Sequence, residues 1–304
     1  MISILLIFMA ALFFPGITAK IKAKIAGRKM PSVFQPLFDV IRLHKKGAIY
    51  SPVTSFIFKL APIVYMATIL VAILFIPLGG QKGLLSFDGD FVFFAYIMAI
   101  GKFLLIISAM DTGSGFEGMG ANREALYSML VEPAFFILMG SLALFTDIAS
   151  FSDLYSLMHA STNLSLITGV AAIYVLMYIA MVENSRLPVD DPKTHLELTM
   201  VHEVMILDNS GFDLALMHMA SWLKFSLYGT LICNFIIYTA WPVYIQIISF
   251  FFIQSSFAVV VGILEMFRAR NKMEKNPQWI LMLSAIAVVT FLTTLIITHK
   301  IILN

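Results

Sequence analysis

One cysteine in 304 residues, Cys233, has no second thiol in the chain to pair with, so an intrachain disulfide is excluded. No CxxC and no Cys/His cluster accompanies it, which removes zinc and iron–sulfur sites built from this chain alone. Charge is scarce too. Asp, Glu, Lys and Arg make up 12% of the residues, where soluble domains carry about 25%. The net charge of +2 is too small to suggest nucleic-acid binding. The first residues, MISILLIFMAALFFPGITAK, lack a basic leader and a small-x-small cleavage site before Lys20, so they read as a retained first span rather than a signal peptide. Neither an internal repeat nor a low-complexity linker interrupts the chain, and residues 1–304 read as a single membrane domain.

What the chain has in abundance is apolar sequence: 60% of residues are hydrophobic and the mean hydropathy is +0.91. A transmembrane helix needs about 20 mostly apolar residues. Windows at 2–19, 53–78, 91–110, 125–146, 164–182, 212–238, 241–265 and 278–298 qualify. The expected fold is an all-α polytopic membrane protein of about eight transmembrane helices, with an amphipathic helix on the cytoplasmic side. Eight spans put the basic residues of segments 20–46, 111–124, 183–211 and 266–277 on one side, fifteen Lys and Arg against Lys82 and Lys300 on the other. The positive-inside rule then places the polar loops in the cytoplasm and both termini outside. Polarity gathered on one face suits a docking surface for a cytoplasmic partner.

The amphipathic element is MPSVFQPLFDVIRLHKKGAIY, residues 30–50. Phe34, Leu37, Phe38 and Ile41 recur at helical spacing, with Asp39, Arg42, Lys45 and Lys46 on the remaining surface. Pro31 or Pro36 suits a first turn and Gly47 a helix end. Such a helix can lie on anionic lipid, border a partner's site, or do both. Segment 111–124, DTGSGFEGMGANRE, carries four glycines and reads as a tight loop that either turns between spans or contacts a protein. It is no phosphate loop, because no GK[ST] follows and no strand precedes it.

Ionisable residues inside spans are functional candidates, because burying them in lipid is costly. Glu132 precedes Pro133 about two turns into the fourth span. Lys102 lies roughly 13 Å and Lys224 roughly 18 Å from the cytoplasmic ends of their spans, at 1.5 Å per residue. Two cations and an acid at similar depth fit either a structural ion pair or a hydrated relay. Lys59 is shallower and suits snorkelling. The densest polar stretch, residues 182–211, is VENSRLPVDDPKTHLELTMVHEVMILDNSG. Glu183, Asn184 and Arg186 stand where the fifth span ends, and Pro188 and Pro192 bracket Asp190 and Asp191. From Lys193 a new helix would put His195, Thr199 and His202 on one face, with Glu197 and Glu203 elsewhere on it. The HxE…HE order lacks the HExxH zinc spacing, and acids at a span end suit an ion entry path.

ENSRLPVDDPKTHLELTMVHE resembles the Glu-Asn-x-Arg-x-Pro-x-Asp segment of the complex I membrane subunit that anchors the hydrophilic arm. KIAGRKMPSVFQPLFDVIRLHKKG resembles the Gly-Arg-x-x-Pro-x-x-x-Gln-Pro-x-x-Asp segment of the same family, and GMGANREALYSMLVEP its third cytoplasmic signature, which ends in an acid matching Glu132. Within the family, THLELTMVHEVMILDNSG is similar to the energy-converting nickel–iron hydrogenase branch, formate hydrogenlyase included. Ala220, Ser221 and Trp222 stand where complex I relatives carry Ala-Glu-Tyr, and Arg28-Lys29-Met30-Pro31 replaces Arg-Arg/Lys-Gly-Pro. The missing acid points away from quinone reduction.

The resemblance implies an anchor in a prokaryotic inner membrane that seats a hydrogenase large subunit and an iron–sulfur small subunit. The nickel–iron centre and the clusters would reside in those partners and no cofactor in this chain. Electrons from ferredoxin or formate would reduce protons there, and antiporter-like membrane subunits would move H+ or Na+. It implies coupling roles for Glu132, Glu183, Asp190, Glu197 and Glu203, with Arg186 as their charge partner and Lys102 and Lys224 beside them. Arg28, Gln35, Asp39, Arg42, Glu117 and Arg123 would meet the partners. A quinone-site subunit of a complex I-like NAD(P)H or ferredoxin dehydrogenase and a standalone ion transporter are the competing readings, although no inverted repeat supports the latter.

Overall fold

A computed structural model describes residues 2–147, 149–158, 163–190 and 200–297. Among them there is no strand. The chain order is α1 (Ile2–Ile25), α2 (Gln35–His44), α3 (Phe56–Ile73), α4 (Asp90–Asp111), α5 (Gly115–Thr146), α6 (Phe151–Met158), α7 (Asn163–Glu183), α8 (His202–Met205), α9 (Gly211–Ile236), α10 (Val243–Phe267) and α11 (Asn276–Ile297). Seven helices are long and apolar enough to cross a membrane: α1, α3, α4, α5, α7, α10 and α11.

The remaining expected span, the sixth in chain order at 212–238, forms as α9, 26 residues long and hence about 39 Å. It falls outside the apolar seven because it carries Asp213, His218, Lys224, Ser226, Thr230 and Asn234. Its place in the bundle explains that composition. From Leu223 to Asn234 every residue is buried, among α1, α3, α7 and α10, so these side chains meet protein and not lipid. Lipid tails are as apolar as leucine, so helices in a membrane associate through packing and interhelical hydrogen bonds. Gln254 Nε2 on α10 donates to the Ser226 carbonyl at 2.8 Å, and Ser226 Oγ donates to the Ile7 carbonyl on α1 at 3.0 Å. Phe225 stacks on Phe257 at 5.0 Å and meets Phe14 edge-on at 4.2 Å, joining the same three helices. The outer surface carries Leu5, Phe252, Ile248 and Val289, all more than half exposed, which is the surface lipid covers.

Helix ends fall in two groups, as alternating spans require. At one end, Ile49 N–H donates to Ser210 Oγ (2.9 Å), Ser55 Oγ to Asp111 Oδ2 (2.8 Å), Asp208 N–H to Glu117 Oε1 (3.0 Å), and Asn271 N–H to the Pro188 carbonyl (3.0 Å). At the other, Gly79 N–H donates to Asn234 Oδ1 (3.1 Å), and Gly89 N–H to the Ala149 carbonyl (3.1 Å). The first end collects the four segments rich in Lys and Arg, and α9 runs from Ser210 at that end to Asn234 at the other.

Two local expectations change. The glycine-rich segment 111–124 is not a loop: α5 begins at Gly115, and only residues 112–114 connect it to α4. Gly120 serves packing, since a Cβ there would lie 2.8 Å from the Val201 carbonyl oxygen. The amphipathic helix is shorter than its pattern, ending at His44 before Gly47, with Pro36 in its first turn. Its apolar stripe also faces outward: Phe34, Phe38 and Ile41 are exposed, whereas Val40 is buried against the bundle.

Candidate functional site: a buried charge bridge between two cavities

Glu183 is the last residue of α7, and its carboxylate joins two lysines from different helices. Lys102 Nζ on α4 lies 2.8 Å from Oε1, and Lys224 Nζ on α9 lies 2.9 Å from Oε2. Lys102 also reaches Glu124 Oε1 on α5 at 3.2 Å. All four side chains are less than a tenth exposed. Lys224 Nζ donates in addition to the Glu183 main-chain carbonyl at 2.6 Å, so one ammonium neutralises the carboxylate and caps the C-terminus of α7. Two cations and two acids make a balanced set, the condition under which buried charge is tolerated.

Glu132 stands beside this bridge. With Lys102, Glu183 and Tyr228 it lines a cavity of about 30 Å³, room for about two waters. A groove of about 410 Å³ between α4 and α5 begins at the same Lys102 and Glu132 and is otherwise lined by Tyr96, Ile100, Phe103 and Met129. Those four side chains are exposed on the outer surface, so the groove leads sideways out of the bundle.

On the polar-end side, a cavity of about 260 Å³ lies between α1, α9 and the segment after α7, with Pro36 of α2 at its edge. Lys22, Arg186, His202, Glu203 and His218 line it with Phe14, Trp222 and Phe225. Burial, reinforced by nearby Asp190 and opposed by Arg186, raises the Glu203 carboxyl to about 7. Burial also holds the His202 imidazole down at about 4, with Glu124 pulling the other way.

The remaining expected site residues divide. Asp190 is buried, accepts from Val201 N–H and His202 N–H at 3.1 Å each, and pairs with Arg270 at 2.5 Å. Arg186, expected to serve the coupling acids, instead makes its short pair with Glu265 on α10 at 3.2 Å, and Lys22 meets the same carboxylate at 2.8 Å. The backbone turns at Ser185, with φ 49°, and carries Arg186 over the Phe225 ring, towards α10. Glu197, with the start of its expected helix, lies outside the described residues. His202 opens the single helical turn α8.

Arg28, Gln35, Asp39 and Arg42 are exposed at the polar end, as a docking surface requires. Glu117 and Arg123 are not free for that role. Glu117 is buried and accepts from Asp208 N–H, while Arg123 donates to the Met200 carbonyl at 2.9 Å; both hold the chain's own segment 200–208 against α5. Lys59 lies 4.8 Å over the Tyr50 ring at the same end. Glu124, Glu265, Arg270 and His218 were not among the expected site residues. Glu265 carried a usable signal, being a charge within an apolar run. Among the described residues no group of three or more His, Cys, Asp or Glu side chains is arranged to hold a metal ion.

A multi-pass bundle with a chain of buried ionisable groups joining two cavities defines a membrane subunit built to hold charge inside the bilayer. A profile of the NADH dehydrogenase family matches residues 1–295, and the chain belongs to that family, the complex I subunit 1/H group. Hydrogenase-4 component C of Escherichia coli is 28% identical over 71% of this chain and 67% of its own length. Formate hydrogenlyase subunit 4 of the same organism is 28% identical over 65% of this chain and 64% of its own. NADH-ubiquinone oxidoreductase chain 1 of Chondrus crispus is 26% identical over 61% of the chain and 58% of its own length. The matched region thus spans roughly two thirds or less of these relatives. A chain of the membrane-bound sulfane sulfur reductase, an archaeal respiratory membrane complex, shares the fold, with a TM-score of 0.78, 17% identity, and coverage of 95% of this chain and 97% of that one.

Proposed function

We propose that this chain is the membrane-anchor and coupling subunit of a membrane-bound hydrogenase complex, passing the effect of electron transfer in a hydrophilic arm into H+ or Na+ movement in the membrane. The observation that carries the reading is Glu183 between Lys102 and Lys224, set between a polar-end cavity and a lateral groove. A charge change at the cavity alters the balance at Glu183, and Glu132 at the groove is positioned to pass it to a neighbouring membrane subunit. The exposed basic end, with Arg28, Gln35, Asp39 and Arg42, is the seat for the hydrogenase large and iron–sulfur small subunits, which carry the nickel–iron centre and the clusters. Antiporter-like subunits adjoin the groove, and the polar end faces the cytoplasm. The two Escherichia coli relatives, both named as hydrogenase or hydrogenlyase components, favour this branch.

The test is the ratio of ions moved to electrons transferred in membranes carrying Glu183→Gln or Glu132→Gln. A fall in that ratio, with the complex still assembled, is expected; an unchanged ratio in both variants overturns the coupling role.

A quinone-site subunit is the second reading, and the cavity between α1, α2 and α9 is the observation in its favour. Its volume of about 260 Å³ sits below the roughly 300–1,000 Å³ of ordinary ligand pockets. Quinone-dependent turnover of the purified complex would decide for it.

A further inference from the structure

Two histidines line the polar-end cavity. His202 opens α8, and His218 lies on α9 two turns after Gly211. The α8 turn that His202 opens packs against α5 and α4, the helices that carry Glu124 and Lys102. Its position is fixed by packing. Gly120 admits the Val201 carbonyl and Val204 against α5 one turn before Glu124, Arg123 holds the Met200 carbonyl, and Asp190 accepts the His202 N–H.

We propose that the ion admitted at this end is a proton, and that His202 and His218 carry it from the cavity to the Glu124–Lys102 pair. The inference rests on the coupling role above and names its ion. Sodium is a hard cation that rests on several oxygens at once. The cavity's side-chain oxygens are those of Thr18, Asn184, Ser221 and Glu203, set among two imidazoles and the cations Lys22 from α1 and Arg186 from the segment after α7, with Lys102 on α4 and Lys224 on α9 in the bridge beyond. The acids are Glu203 on α8, Asp190 behind it, and Glu124 on α5; Glu265 already serves Lys22 and Arg186. A metal cation resting here would meet repulsion, whereas a proton passes through bonds without residing.

The transfer balances simply. A hydronium in the cavity, directly or through the Glu203 carboxyl that it then reprotonates, gives its proton to one nitrogen of His218 and is left as water; the proton on the other nitrogen passes to His202, His202 releases one in turn to the Glu124 carboxylate, and both rings end neutral. No electrons change hands. Burial keeps His202 neutral at rest, one nitrogen accepting and the other donating. Glu203, titrating near neutrality, is a proton source at the cavity wall.

Inverted membrane vesicles carrying the assembled complex, driven with reduced methyl viologen and read with a pH-sensitive dye, test this. In sodium-free buffer the unmodified complex should acidify the lumen, and a protonophore should abolish the signal. His202→Gln and His218→Gln should each cut acidification per electron at least about tenfold and flatten its pH profile. Imidazole, but not the weakly basic thiazole, should restore His202→Ala. A sodium requirement in the unmodified complex overturns the proposal whatever the variants do, and so do histidine variants with an unchanged ratio and pH profile. Glu183→Gln separates the two levels. If it loses coupling while the histidine variants keep theirs, only the histidine route falls; if it also keeps coupling, the coupling role falls with it.

Discussion

Lys224 holds Glu183 twice, by its carboxylate at 2.9 Å and by its main-chain carbonyl at 2.6 Å. Removing the ammonium therefore uncaps α7 and leaves the Glu183 carboxylate with Lys102 as its remaining partner in the bridge. Lys224→Met should destabilise the detergent-solubilised protein by about 3–5 kcal/mol, the cost of breaking a buried pair and leaving Glu183 and Glu124 to share one ammonium. The double variant Lys224→Met with Glu183→Met should recover part of that loss, since two apolar residues of similar length leave no stranded charge. Thermal unfolding of the three proteins checks the order. A double variant less stable than Lys224→Met alone would show that the pair acts through some other contact.

Glu203 and His202 are adjacent in sequence but give stability opposite dependences on pH. The Glu203 carboxyl moves from an ordinary 4.5 to about 7, so the folded state binds more protons across that window and stability falls as pH rises through it. The His202 imidazole moves from 6.5 down to about 4, so its contribution is complete above 6.5 and lost as pH falls towards 4. Glu203→Gln should remove the first trend. Its melting temperature relative to the unmodified protein should climb between pH 4.5 and 7 and level off above that. A flat difference across the range would mean that Glu203 is solvated and ordinary.

The bridge was partly legible in the sequence because its charges interrupt apolar runs. Lys102, Glu183 and Lys224 stand out on that ground, and the structure brings them together. Glu124 did not stand out, because the four glycines before it read as a turn, whereas Gly115, Gly118 and Gly120 lie in a helix. Pairing was harder to read than position. Arg186 meets Glu265, 79 residues away, because the rotation of one span against another is set by packing that no single helix's periodicity records. α9 shows the converse. Its polar residues dilute the hydropathy by which spans are recognised, and only its neighbours explain why they are tolerated.

Gly120 is where α5 accepts the α8 turn, 2.8 Å from a Cβ position to the Val201 carbonyl. Gly120→Val must push that turn away, and with it the His202 ring and the backbone that Asp190 holds. Overpacking of this kind costs about 1–3 kcal/mol. The sharper readout is local: amide hydrogen exchange at residues 200–208 should accelerate while the α3 and α4 amides keep their protection. Equal acceleration in all three regions would point to global loosening rather than a displaced turn.

The charge bias predicts a sidedness that thiol labelling can measure. Cys233 is fully buried, so it gives little background to thiol labelling. Lys45 is exposed at the basic end, and Lys82 is exposed near the opposite end, 3.2 Å from Asp153. The positive-inside rule predicts that the first end, with its excess of Lys and Arg, faces the cytoplasm. Lys82→Cys should therefore react with a membrane-impermeant maleimide in intact cells, and Lys45→Cys should react only in inverted vesicles. The reverse pattern would put the cavity holding His202 and Glu203 outside the cell, where a cytoplasmic hydrogenase arm could not reach it. Labelling of both sites from one side would mean that α3, the one span between them, does not cross.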